Sequence, residues 1–206
     1  MVQVARNRWS GRGGRSAGPL LLLLWLWSGV AMAADIEEPA WKLRYSFNGV
    51  ELRDYAPSIQ AKTVLAHGGE TSTGFRRLAG FIFGGNDRSQ KIAMTAPVQE
   101  TLQEQGPVMA FTMPAQYTLD ELPRPADARI TLEEVPARTV AVLRFSGWAT
   151  DASVARKTRQ LLAALEQHDI VPVGVPSLNQ YNPPWTAPFL RRNEIMVEVD
   201  GPAASL

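Results

Sequence analysis

The chain has two histidines and no cysteine, so its chemistry must rest on few groups. His67 stands at the end of an expected strand, beside Gly68-Gly69. His168 stands in the last turn of an expected helix, where the helix dipole favours a cation. Neither has a second ligand at metal-binding spacing, so each reads as a solvated or structural histidine and no metal site is expected. Without cysteine there is no disulfide framework, thiolate zinc site, iron–sulfur cluster or cysteine nucleophile. H-E-x-x-H, G-x-S-x-G, G-x-G-x-x-G and a Walker loop are all missing. No residue is singled out as catalytic.

Carboxylates come in pairs at Glu37-Glu38, Asp120-Glu121 and Glu133-Glu134. Neighbours in a strand point to opposite faces, so Glu133 and Glu134 do not cooperate, and all three pairs read as solvated surface. Glu194 is different. It follows Arg191-Arg192-Asn193 and opens the apolar stretch Ile195 to Val199. A carboxylate entering a buried strand needs a partner. It either pairs with one of those arginines or faces a cleft as an acid or base. Apolar candidates are more numerous: Phe75, Phe81, Phe83, Trp185, Met94, Met109, Met113 and Met196. Such residues build a core, or line the concave apolar site that a flat hydrophobic ligand requires.

The elements that must position these groups emerge from periodicity and punctuation. Leu43–Phe47 and Val50–Tyr55 flank Asn48-Gly49, a strong hairpin signal. Ile59–Ala66 reads as a strand and Glu70–Phe83 as a helix, with Phe75, Leu78, Ala79 and Ile82 on one stripe. Thr71 or Ser72 is its expected cap, and Gly84-Gly85 with Asn86 its stop. Val98–Thr101 and Val108–Met113 read as paired strands. Ile130–Val135, Thr139–Phe145, a helix over Ala152–His168 capped by Asp151 or Ser153, Val173–Tyr181 and Asn193–Val199 complete the series.

The series repeats. A shift of 79 residues brings Pro57 onto Pro136, Val64 onto Leu143 and Gly68 onto Gly147. Each half then reads strand–strand–helix–strand–strand. One half cannot bury both a sheet face and a helix stripe, so the halves are expected to share one core. The expectation is an α+β domain with a curved antiparallel sheet, two helices and a pseudo-two-fold cleft.

The N-terminus reads as an address. Arg6, Arg8, Arg12 and Arg15 are the only charged residues before Asp35. After them come a leucine-rich stretch over residues 20–30 and the small-residue site Ala31-Met32-Ala33. This is the pattern of a cleavable secretory signal peptide over residues 1–33, with an uncleaved anchor as the other reading. No adjacent arginine pair marks a twin-arginine signal, so a Sec-type route is expected. Residues 34–206 are then a single domain. Removing four arginines from the total of 21 basic residues leaves 17 against 20 acidic ones. A mildly acidic, cysteine-free domain suits the periplasm or a secreted protein, with no nucleic-acid partner and no membrane contact once the signal is cleaved.

Lys91-Ile92-Ala93-Met94-Thr95-Ala96-Pro97-Val98, after Phe81-Ile82-Phe83-Gly84-Gly85-Asn86, resembles the signature of the SOUL heme-binding family. Three further segments agree in order: Val50 to Pro57, Val140 to Phe145 with Gly147, and Tyr181-Asn182-Pro183-Pro184-Trp185 leading to Arg191-Arg192-Asn193-Glu194-Ile195. The likeness runs from about Pro39 to Val199. It implies a distorted antiparallel β-barrel with two helices, built from two halves and similar to the gyrase-inhibitor-like effector domains. It also implies heme, or another tetrapyrrole, in an apolar cleft beside the first helix.

The family's site carries over in part. Some members place a heme-ligating histidine in the segment matching Arg53-Asp54-Tyr55, where this chain has Asp54. Other members use apolar residues of the first helix, and Phe75 and Ala79 match two of those positions. Positions that hold propionates in those members match Ser72, Gly80 and Thr186, none of them basic. The expected cleft is therefore Phe75, Ala79, Ile82 and Trp185, binding a small hydrophobic ligand such as a tetrapyrrole without a histidine on the iron. The alternatives are a small-molecule hydrolase using Glu194, or a cleft filled by the protein's own side chains beneath Val171 to Pro188.

Overall fold

The computed structural model describes residues 36–66, 70–103 and 106–200. The expected signal segment 1–33 lies outside the described residues, as do His67 and Gly68. The elements, in chain order, are β1 (Trp41–Phe47), β2 (Val50–Tyr55), β3 (Ser58–Val64), α1 (Thr71–Ile82), β4 (Val98–Thr101) and β5 (Val108–Thr112). Then come β6 (Ile130–Val135), β7 (Arg138–Phe145), α2 (Asp151–Glu166), β8 (Ser177–Gln180) and β9 (Asn193–Glu198). A short 3-10 turn, Pro188–Leu190, precedes β9 and carries no signal in the hydrophobic pattern.

The nine strands form one antiparallel sheet in the order β1-β2-β7-β9-β8-β4-β5-β3-β6. Exchange the halves, β2 for β6, β3 for β7, β4 for β8 and β5 for β9, and the order without β1 reads the same backwards. The repeat is therefore a real two-fold relation, with its axis between β4 and β8. β1 is an addition to one edge, joined to β2 through Asn48-Gly49, both at positive φ.

The expectation of one shared core is corrected. Among the described residues there are two principal cores, one under each helix. Leu78, Phe81 and Ile82 of α1 meet Ala61, Met109 and Phe111, while Leu161 and Leu165 of α2 meet Leu52, Leu143 and Ile195. The halves interlock by trading strands. β2 of the first half pairs with β7 beneath α2, and β6 of the second pairs with β3 beneath α1. Each half thus completes the sheet on which the other's helix rests. The sheet curls, so residues of β3 and β6 line one groove with residues of β7 and β9.

Both helix starts differ from expectation. The α1 N-cap is Glu70, without a side-chain cap bond, rather than Thr71 or Ser72. The α2 N-cap is Thr150, whose Oγ1 accepts from the Ser153 N–H at 3.3 Å. Thr150 has the extended backbone that a cap requires, whereas Asp151 is already helical.

Candidate functional site

α1 lies mainly on β3 and β5. Its inward stripe is as the spacing implies, with Leu78, Ala79 and Ile82 all buried. Phe75 is at the edge of that stripe. It is 40% exposed, and its ring meets the Phe111 ring edge-on with centroids 5.4 Å apart. Phe83, just past the helix, is also exposed. α1 therefore offers one exposed ring in its first half, Phe75, backed by a packed core, and a second, Phe83, about two turns on at its C-terminal end.

The turn after α1 fixes the C-terminal end of the helix. Asn86 is buried, and its side-chain amide donates to the carbonyls of Phe81 at 3.1 Å and Gln90 at 2.8 Å. Its Oδ1 accepts from the N–H groups of Arg88 at 3.2 Å and Gln90 at 3.0 Å. The Lys91–Val98 motif then runs back over the helix end, where the Ile92 N–H bonds the Ile82 carbonyl at 2.8 Å. The Thr95 hydroxyl donates to the Thr112 carbonyl at 2.5 Å. The motif is architectural: its buried members Ile92, Thr95, Ala96 and Pro97 brace the helix end against β5, and its only titratable residue, Lys91, is exposed.

The other candidates fall elsewhere. Trp185 is 85% exposed on the loop between β8 and β9. That loop is tied to the start of α2: the Gly147 N–H donates to the Pro188 carbonyl at 2.9 Å, and the Arg191 guanidinium lies 4.1 Å from the Trp148 ring centroid. Phe75, Ala79 and Ile82 thus share α1, and no described contact joins Trp185 to them. Asp54, at the family's histidine position, binds Arg44 at 2.9 Å and Thr139 at 2.9 Å. The Arg44 guanidinium holds its carboxyl below the usual aspartate range. His168 lies just beyond α2, packed on Phe47 at 4.1 Å and 3.3 Å from the Asn48 amide, which is a structural placement. Among the described residues no group of three or more His, Cys, Asp and Glu could hold a metal ion.

Glu194 resolves into the ion-pair reading. It is 0% exposed, on the sheet face turned away from the helices. Oε2 accepts from Arg53 at 3.1 Å and from the Tyr181 hydroxyl at 2.6 Å. Oε1 accepts from Arg53 at 3.2 Å and Arg192 at 3.2 Å. Burial opposes the Arg53 charge, yet the carboxylate outweighs it and raises the guanidinium above its ordinary value. Burial, with Glu194 adding to it, pushes the Tyr181 hydroxyl up as well. Four hydrogen bonds occupy the carboxylate and no surface is left for a substrate, so Glu194 is placed as a structural anion. Arg192 was legible as a partner; Arg53, 141 residues away, was not. The signal was in β2, where Glu51, Arg53 and Tyr55 alternate with apolar Val50 and Leu52.

Comparison with known proteins agrees with this architecture. The family model for "SOUL heme-binding protein" matches residues 36–198. Human "Heme-binding protein 2" is 29% identical over 149 residues, which is 66% of this chain and 70% of that protein. "Heme-binding protein 1" of Sus scrofa is 31% identical over 123 residues, 56% of this chain and 64% of that one. Among solved structures, the EcmrR C-terminal domain aligns with a TM-score of 0.55 at 13% identity, over 73% of this chain and 96% of that domain. A structure described as a hydrolase from Listeria innocua aligns with a TM-score of 0.55 at 8% identity, over 76% and 94%. At such identities these structures speak to the fold alone. With its motifs, its two-fold sheet and a family match spanning most of its length, the chain belongs to the SOUL heme-binding protein family.

Proposed function

We propose that this protein binds heme or a related tetrapyrrole on the apolar surface at α1, without a histidine ligand to the iron. The observation that carries the reading is Phe75, an aromatic ring left 40% exposed on a helix whose remaining stripe is buried. A planar ligand would lie on Phe75, with Ala79 and Ile82 as the wall beneath and Phe83 at the margin. Trp185 stands exposed on a separate loop and is not part of the surface used in this reading. The residues suit the apolar face of a tetrapyrrole. Arg76, exposed on α1 and bonded through Nε to the Ser72 carbonyl at 3.3 Å, is a cation on the same helix that could meet a propionate. Burial of ~300 Å² of apolar ligand surface at about 25 cal/mol/Å² gives several kcal/mol before association costs, which corresponds to micromolar or weaker affinity.

The same proposal places the mature chain outside the cytoplasm, in the periplasm or secreted, on the pattern of residues 1–33. Among the described residues no helix is long and apolar enough to cross a membrane. The test is titration of the purified protein with hemin and with iron-free protoporphyrin, followed by the Soret band and tryptophan quenching. Saturable one-to-one binding of both, within about threefold of each other, is the expected result. Hemin binding tighter by two orders of magnitude would mean an iron ligand at the site and overturn the ligand-free reading.

A further inference from the structure

The sheet face turned away from the helices carries a groove of about 490 Å³, within the size range of small-molecule sites. Strands β3 to β9 all contribute to its walls. Its rim and floor are partly apolar: Val64, Val173 and Val175 are exposed there, with Met196 beneath. Exposed apolar side chains gathered in one concavity are the usual mark of a ligand or partner surface.

Most polar groups in the groove are already satisfied. Lys62 pairs with Glu133 at 2.7 Å and Arg129 with Asp127 at 2.7 Å, while Gln60 donates to Gln99 at 3.0 Å. Of the charged groups left over, Glu198 is exposed and Arg138 is not. It is half-buried, at the start of β7, and its guanidinium makes no hydrogen bond or ion pair among the described residues. Burial lowers its pKa, and the attraction of Glu198 and Tyr55 does not make up the difference. Glu198 is exposed on β9 and water screens it, so it leaves Arg138 without a direct partner. A desolvated guanidinium with unspent donors favours a planar anion that takes two parallel N–H bonds.

We propose that this groove is a second ligand site, which takes a carboxylate joined to an aliphatic chain, the carboxylate on Arg138 and the chain along Val64, Val173 and Val175. It lies on the opposite face of the sheet from α1 and does not depend on the tetrapyrrole reading. Most of the polar lining is paired within the protein, so the ligand need supply only one strong polar contact.

Calorimetric titration of the full chain with decanoate and with decyltrimethylammonium tests it. Decanoate should bind saturably, one to one, and at least tenfold tighter than the cation. Arg138→Gln should weaken it tenfold or more. Val173→Glu puts a repelling carboxylate on the exposed rim, where folding is not at stake, and should weaken it as well. Phe75→Ala should leave it unchanged. If Arg138→Gln melts early, Val173→Glu decides. No saturable decanoate binding, equal binding of the cation, or wild-type affinity in a folded Arg138→Gln or Val173→Glu variant would overturn the proposal.

Discussion

At the scale of single residues, the buried charges dictate the sharpest expectations. Glu194 holds Arg53, Arg192 and Tyr181 on one buried carboxylate. Glu194→Gln leaves two guanidinium groups facing a neutral amide, and breaking a buried pair from one side typically costs about 3–5 kcal/mol. Denaturant unfolding should show that loss. A variant as stable as wild type would contradict the structural role and reopen the acid–base reading. Glu100 makes the opposite case. Burial raises its pKa and Asp151 adds to the rise, against the Thr71 hydroxyl, which donates to it at 3.2 Å and pulls it down. A raised carboxyl pKa means stability that is full at low pH and lost as pH rises through the folded value. Glu100→Gln keeps an acceptor for Thr71 and removes that loss. It should therefore melt higher than wild type at pH 7, and the gap should close below about pH 4, where both forms are neutral. A gap that persists in acid would show that the charge is not its cause. Asp54 and Glu133 run the other way, since Arg44 and Lys62 hold their carboxyls low and the stability they add is lost on acidification.

At the scale of elements, the turn after α1 is the constrained piece. A Cβ on Gly85 would stand 2.7 Å from the Gly80 carbonyl oxygen, which is backbone and cannot swing aside. The Gly85 N–H bonds that same oxygen at 2.8 Å. Gly85→Ala should destabilise the fold by roughly 1–3 kcal/mol, the usual range for overpacking. Asn86→Ala strips partners from two carbonyls and two N–H groups and should cost on the order of 2–4 kcal/mol. Both are read from thermal or urea unfolding, and wild-type melting in either would remove the turn's structural role. This stop was legible, because Gly-Gly-Asn after a 3.6-residue stripe has few other meanings. The strand series was legible too: β4 and β6 fall on their expected residues, and α1 and β7 within a residue at each end. The caps were not. Glu70 and Thr150 precede the positions that side-chain type favoured, and only the backbone conformation reveals them.

At the scale of the molecule, Pro57 and Pro136 exposed the duplication, since each opens a strand that leads into a helix. The strand exchange between halves was out of reach. Which strand neighbours β2 depends on pairing with residues some 90 positions away, and alternation within β2 is the same whichever partner it has. The same non-local pairing brings Arg53 to Glu194 and places Arg138 in the groove. The site was half legible. The stripe of α1 located Phe75, Ala79 and Ile82, but nothing local said that the loop of Trp185 is anchored at α2. The most direct test of ligand binding at α1 is hemin titration of wild type beside Phe75→Ala, with far-UV circular dichroism as the folding control. A folded Phe75→Ala protein that binds hemin at least tenfold more weakly is the predicted result. Equal affinity in the two proteins would contradict a site on that helix.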